Sequence, residues 1–300
     1  MVKGPVELCA LCEQKPASKQ SEHVWPRWYL GDQDKLGPGP FAWTHKGQPI
    51  ENRDGVQIPA GAVRKRVKLP ACVDCNQALG DRFEQPTKEI LRALFAADGA
   101  LVLDAGDAAL VGEWFAKTLL LLTHPRARYE HPAIDAKAIR LEAEEMPPAP
   151  YYDWLTSSAP PPDGLSVWIH RSDPADLGER LQRVPLPRVT ADGTTTDFLQ
   201  LAVAMHGLCA NVVVHPGWPI EHPLEATGEA VRVLPGPLPG DVDLTPLPAL
   251  GIRTVDWLRC NVTLKPGVLG SAELPPLHAS EELFGLLPEV WPRFASHWGG

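Results

Sequence analysis

The steadiest periodicity in the chain runs from Ala105 to Thr123, where Leu110, Trp114, Lys117, Thr118 and Leu121 recur at spacings of three and four. That is the period of one face of an α-helix, and it places Trp114 and Leu121 together. The same reading gives helices over Thr87–Ala97 and Ile134–Glu145, the second ended by Pro147-Pro148. Another helix is predicted to open near Cys72 and stop before Pro86, because proline lacks the N–H that a helix interior needs. The Trp114 and Leu121 face is expected to pack against it. Upstream, Val63–Leu69 reads as a strand, and Leu30–Gly61, rich in Gly, Pro and Asp, as a long turn-rich connector. Downstream the pattern changes. Leu165–His170, Phe198–Val203, Asn211–Val214 and Ala230–Leu234 read as strands divided by Pro and Gly turns, and Glu281–Leu287 as a short helix.

The sharpest break is Ser157–Gly164, with three consecutive prolines at 160–162, a linker composition. It divides the chain into a first domain over 1–146, a linker over 147–164 and a second domain over 165–300. The fold class expected is α+β: an N-terminal ββα finger with packed helices, followed by a small α+β domain. At 300 residues with 44% hydrophobic content, two domains with a sizeable core are within reach. No apolar leader follows Met1, and the apolar run around Leu119–Leu122 is too short to span a bilayer. The expectation is a cytoplasmic protein with no membrane partner.

Four of the six cysteines fall in two knuckles, Cys9-Ala-Leu-Cys12 and Cys72-Val-Asp-Cys75, while Cys209 and Cys260 stand alone. That usage points to metal ligation rather than to a disulfide framework. A two-residue gap lets both sulfurs of a knuckle face one ion, and four thiolates complete a closed tetrahedral zinc site. Cys9, Cys12, Cys72 and Cys75 are therefore the expected ligands of a structural Zn²⁺, with a paired-thiol redox role as the alternative. A finger this small buries too little apolar area to hold itself, so zinc would supply much of its folding free energy.

Between the knuckles lies Glu22-His23-Val24-Trp25-Pro26, and Asn76 directly follows Cys75. Together these residues resemble the HNH (ββα-metal finger) endonucleases of the zinc-stapled kind. Their pattern is Cys-x-x-Cys, Asp/Glu-His-hydrophobic-x-Pro, then Cys-x-x-Cys-Asn/His opening a helix. The likeness covers roughly the first 85 residues. It implies phosphodiester hydrolysis in which His23 is the general base that activates water. It implies Glu22 and Asn76 as oxygen ligands of one catalytic Mg²⁺ or Mn²⁺ ion. Trp25 and Pro26 would support the site from beneath and Arg27 would meet a phosphate. Glu84 resembles an acid that family members carry further along the helix, or is a salt-bridging surface residue. The family's middle asparagine, which braces the base, has no counterpart between Arg64 and Ala71; Asn52 is the only asparagine in the long connector.

The net charge of −9 is unevenly spread. Of 28 Lys and Arg, 14 lie in residues 1–100 beside 12 of the 37 Asp and Glu, which leaves 14 basic and 25 acidic residues beyond. Phosphate affinity is therefore expected in the first part. The run Arg64-Lys65-Arg66-Val67-Lys68 leads into the second knuckle, with Arg64, Arg66 and Lys68 as phosphate contacts. Charge that keeps an edge strand soluble is the other reading. In the second part, His215 to Glu225 holds two histidines and two glutamates among three prolines and a glycine: a metal site, or a rigid turn. The function expected is a metal-dependent DNA endonuclease, placed by analogy in phage defence or restriction, with homodimer or partner contacts through the second domain. The alternative is a catalytically silent zinc-finger module that binds nucleic acid or a partner protein.

Overall fold

Asp104 opens helix α4, Ala105–Thr123, by accepting a hydrogen bond from the Asp107 N–H at 2.8 Å. From Val111 to Thr123 every residue except Glu113 is buried, so the helix is enclosed on all sides rather than along one Trp114–Leu121 face. In this computed structural model, which describes residues 6–36, 44–45, 48–49, 67–96, 101–129, 139–140, 149–173, 180–185, 189–191, 194–196, 199–215, 217, 220–236, 238, 240–251 and 263–264, α4 is the axis of the core. One side meets the helices that follow the second knuckle. The other lies on a sheet, where a Cβ on Gly112 would stand 2.9 Å from the Val233 and Leu234 side chains. Glycine there allows helix and strand to approach closely.

The sheet is antiparallel, in the order Val231–Leu234, Leu165–Ser172, Leu208–Val214, Leu199–Met205, Arg180–Pro185, with Ala249–Leu250 added parallel to Leu165–Ser172. Alternation along Leu165–Ser172 sends Leu165, Val167 and Ile169 into the main core, while Ser166, Trp168 and His170 are buried on the opposite face. Strands Leu199–Met205 and Leu208–Val214 form a hairpin turned by His206 (φ 49°) and Gly207 (φ 80°). A two-residue turn of this kind needs left-handed backbone at both positions. The His206 ring then rests on Tyr29 and Phe95, at 6.1 and 5.0 Å between centroids, which ties the hairpin tip to the N-terminal part. One apolar cluster runs from Ala10 to Leu247. Helices beside an antiparallel sheet make the fold α+β. All four strands expected after residue 164 are present, as Leu165–Ser172, Leu199–Met205, Leu208–Val214 and Val231–Leu234.

Three elements depart from expectation. Pro86 does not end the helix that begins after Cys72. Helix α2, Val73–Leu79, continues through a π turn, Gly80–Glu84, into α3, Gln85–Ala96. Pro86 has no N–H to offer the Arg82 carbonyl, and the wider turn absorbs that gap, with the Gln85 N–H reaching back to the Gly80 oxygen. The connector begins as a helix, α1, Arg27–Leu36, which starts directly after Pro26 and is anchored by the buried Tyr29 against Trp25 at 5.8 Å. Within the predicted helix Ile134–Glu145, Ile139–Arg140 is instead a strand. It completes a four-stranded sheet of Glu22–His23, Val67–Leu69, Arg128–Tyr129 and Ile139–Arg140. The open edge of that sheet supplies hydrogen-bond partners, and pairing outweighs helical spacing. Arg64, Arg66, Asn52, Cys260 and Glu281–Leu287 lie outside the described residues. Among the described residues no helix is long and apolar enough to cross a membrane.

Candidate functional site

The first knuckle is a tight turn: the Cys9 N–H donates to the Lys15 carbonyl at 2.8 Å and the Glu13 N–H, with φ 53°, to the Cys9 carbonyl at 3.1 Å. Two backbone bonds fasten it to the approach of the second knuckle, Ala10 N–H to Pro70 O at 2.6 Å and Ser18 N–H to Ala71 O at 2.8 Å. Cys72 is the N-cap of α2, where its Sγ accepts from the Cys75 N–H at 3.4 Å. The four sulfurs lie within 4.8 Å of one another, and Cys12 Sγ and Cys72 Sγ are 3.9 Å apart. A tetrahedron with Zn–S bonds of about 2.3 Å has edges of about 3.8 Å, so the cluster fits such an ion. Cys9, Cys72 and Cys75 are buried and Cys12 is partly exposed. The backbone N–H groups of Gln14 and Lys15 lower the Cys12 thiol to about 6, whereas burial pushes Cys75 upward. Lys15 and Asp74 form a salt bridge from one knuckle to the other.

Glu22–His23 pairs antiparallel with Val67–Leu69, Glu22 opposite Leu69 and His23 opposite Lys68. Strand alternation sends the two candidate residues different ways. Glu22 faces inward and is 5% exposed, beside the fully buried Leu69. His23 and Lys68 are half-buried neighbours on the outer face. His23 makes no hydrogen bond to a described residue, which leaves both ring nitrogens available. Burial lowers its basicity, Lys68 and Arg27 lower it further, and the Glu84 carboxylate opposes them. Arg27 is exposed and donates to Gln20 Oε1 at 3.3 Å. Asn76, in the first turn of α2, donates its Nδ2 to the Ser21 carbonyl at 3.2 Å, which brings it against the residue before Glu22 and leaves Oδ1 without a described partner.

The spacing of motifs did not disclose the partner of Glu22. Lys117 of α4 is 0% exposed, and its Nζ lies 2.8 Å from Glu84 Oε1 and 3.7 Å from Glu22 Oε1. Burial pushes the Glu22 carboxyl up to about 7, Lys117 works against that, and Glu84 adds to it. The clue in the sequence was a lysine as the only charged residue between Trp114 and Thr123. Oxygen donors for a divalent ion are present at Glu22 and Asn76, but the Glu22 carboxylate is shared with an ammonium. Trp25 and Pro26 are buried, and Trp25 packs on Tyr29 of α1.

The histidines of the 215–225 segment are turned to internal partners. His215 Nε2 lies 2.9 Å from Ser166 Oγ, and His222 Nδ1 accepts from the Leu224 N–H at 3.2 Å. Glu225 accepts from Trp168 Nε1 at 2.8 Å and Arg232 at 2.7 Å. Among the described residues the four cysteines are the one group of three or more His, Cys, Asp or Glu side chains close enough to hold a metal ion. No family model matches the chain, and neither a curated protein nor a solved structure matches it.

Proposed function

We propose that the chain is a zinc-stapled endonuclease of the HNH kind that hydrolyses DNA phosphodiester bonds. The observation that supports this most is the setting of His23. Its imidazole is unbonded to described residues, kept in its neutral form near pH 7 by burial and by the cations Lys68 and Arg27, and carried on the strand that pairs with the one leading into the second knuckle. A neutral imidazole with a free nitrogen takes a proton from water, and flanking cations meet the anionic substrate. Cys9, Cys12, Cys72 and Cys75 would hold a structural zinc that joins the two knuckles. Glu22 and Asn76 would hold one Mg²⁺ or Mn²⁺, which when bound supplies charge neutralisation at the scissile phosphate. Arg64 and Arg66 would extend the phosphate track toward Lys68. The acidic part from 165 onward would serve as a homodimer or partner contact, in a cytoplasmic role such as phage defence or restriction.

The second reading is a zinc module that binds nucleic acid or a partner protein without cutting. The contact of Glu22 with Lys117 favours it, because that carboxylate already has a cation. Supercoiled plasmid incubated with Mg²⁺ or Mn²⁺, wild type beside His23→Ala, separates the two. Loss of cutting by about 100-fold or more with DNA binding retained is expected. Equal cutting by both proteins moves the assignment to the binding module.

A further inference from the structure

Lys117 is a fully buried charge on a helix that is buried from Val111 to Thr123 at every residue but Glu113. A methionine or leucine would fill similar volume without the desolvation cost of an ammonium, so packing alone does not account for a lysine. What the ammonium does is join two carboxylates from different elements. Glu84 comes from the π turn at 2.8 Å, and Glu22 from the strand at 3.7 Å. The position of Glu84 depends in turn on the π turn, because a straight helix without the extra residue would rotate it about 100° away from α4. Glu22 is the neighbour of His23 on the same two-residue strand, so what holds Glu22 also holds the backbone of His23.

We infer that Lys117 is a positioning residue of the proposed nuclease site: by gripping Glu84 and Glu22 it fixes the two-residue strand that carries His23 against the π turn and α4. This rests on the nuclease reading of His23. Lys117 does not reach the surface, so it acts through the two glutamates and not on substrate. Both ends of the grip are needed, since either carboxylate alone would leave the strand and the π turn free to shift relative to each other.

The test uses the full chain with Lys117→Met, Glu84→Gln and the double variant, which removes both charges of the 2.8 Å pair. Zinc content and DNA affinity report folding, plasmid cleavage reports kcat, and the His23 ring resonances report positioning without any turnover. Each single variant is expected to lose about 100-fold in kcat with DNA affinity changed less than threefold, and the double to lose no more than the worse single. The His23 resonances should shift in all three variants while the signals of Cys9 and Cys12 stay in place. Losses that multiply, an unmoved His23 signal, or wild-type cutting by Lys117→Met would each overturn the inference. Tighter Mn²⁺ binding with faster cutting by Lys117→Met would also overturn it, by making Lys117 a blocking counter-ion. Should Lys117→Met be recovered without zinc, Glu84→Gln and the double variant decide by the same readouts. If His23→Ala cuts like wild type, the nuclease reading itself fails; if only Lys117→Met does, the inference alone fails.

Discussion

At Gly164 the chain enters the central strand through a gap with no room for a side chain. A Cβ there would lie 1.9 Å from the His215 carbonyl oxygen and 2.1 Å from the Tyr151 hydroxyl, which donates to that same carbonyl at 2.8 Å. Gly164→Ala is expected to break this bond and lower stability by about 3 kcal/mol in a denaturant titration, with zinc stoichiometry unchanged. Cys72→Ser removes one of the four thiolates expected to hold zinc while leaving a hydroxyl that can still cap α2, so its effect reads the metal and not the cap. Metal analysis should fall from about one zinc per chain to well below one, and the knuckles should lose their cooperative melt. At this scale the four cysteines were legible because ligand spacing is a local property of the chain. The role of Lys117 was not. Its helical register was evident, but the partners that explain a buried charge come from a strand and a turn far upstream, and no local pattern encodes that meeting.

Among the elements, α4 was legible to the residue because its apolar spacing and the Asp104 cap agree. The sheet strands were legible because β-branched runs end at Pro and Gly turns. The π turn was hidden, since the local rule for Pro86 says stop. The continuation is held by tertiary bonds, including Arg82 Nη1 to the Trp154 carbonyl at 2.9 Å at the end of α5, Ala149–Thr156. Pro86→Ala restores an N–H for the Arg82 carbonyl and should let the segment relax toward regular α-helix. The expected outcome is more helical ellipticity near 222 nm, unchanged zinc content and slower plasmid cutting as Glu84 turns away from Lys117. Zinc chelation should act on different elements. Hydrogen exchange is expected to accelerate over residues 9–18 and 72–76, while Leu165–Ser172 and Leu208–Val214, buried on both faces, keep their protection. Equal loss of protection in both regions would show that the cluster and the main core unfold as one.

For the molecule as a whole, acid sensitivity should come from its buried histidines, three of them on the outer face of the sheet and a fourth, His124, which burial lowers to about 4, at the end of α4. Burial lowers His170 and His215 to about 4 and His222 to about 3. His170 accepts from Asn211 Nδ2 at 2.9 Å and acts on His222; Arg232 lies near both His215 and His222, held by Glu225; Ser166 faces His215. The unfolded chain takes up these protons near pH 6.5 and the folded chain only below about 4, so stability is full above 6.5 and falls as pH drops through that window. Each imidazole contributes a slope of up to about 1.4 kcal/mol per pH unit there. Thermal midpoints measured from pH 7 to 4.5 should decline steadily, and more gently in His222→Gln; a flat profile would contradict this. The charge split along the chain was readable at this scale, whereas the apolar cluster that joins Ala10 to Leu247 was not, because strand and helix patterns do not say which surfaces meet. The separation of Lys117 from Glu84 by 33 residues also has a temporal side. At about 5–20 residues per second, a ribosome makes the lysine about 2–7 s after the glutamate. All four thiols precede both, so a growing chain can close its knuckles on metal while Glu22 and Glu84 still repel each other, and the cation they share waits for a helix not yet made.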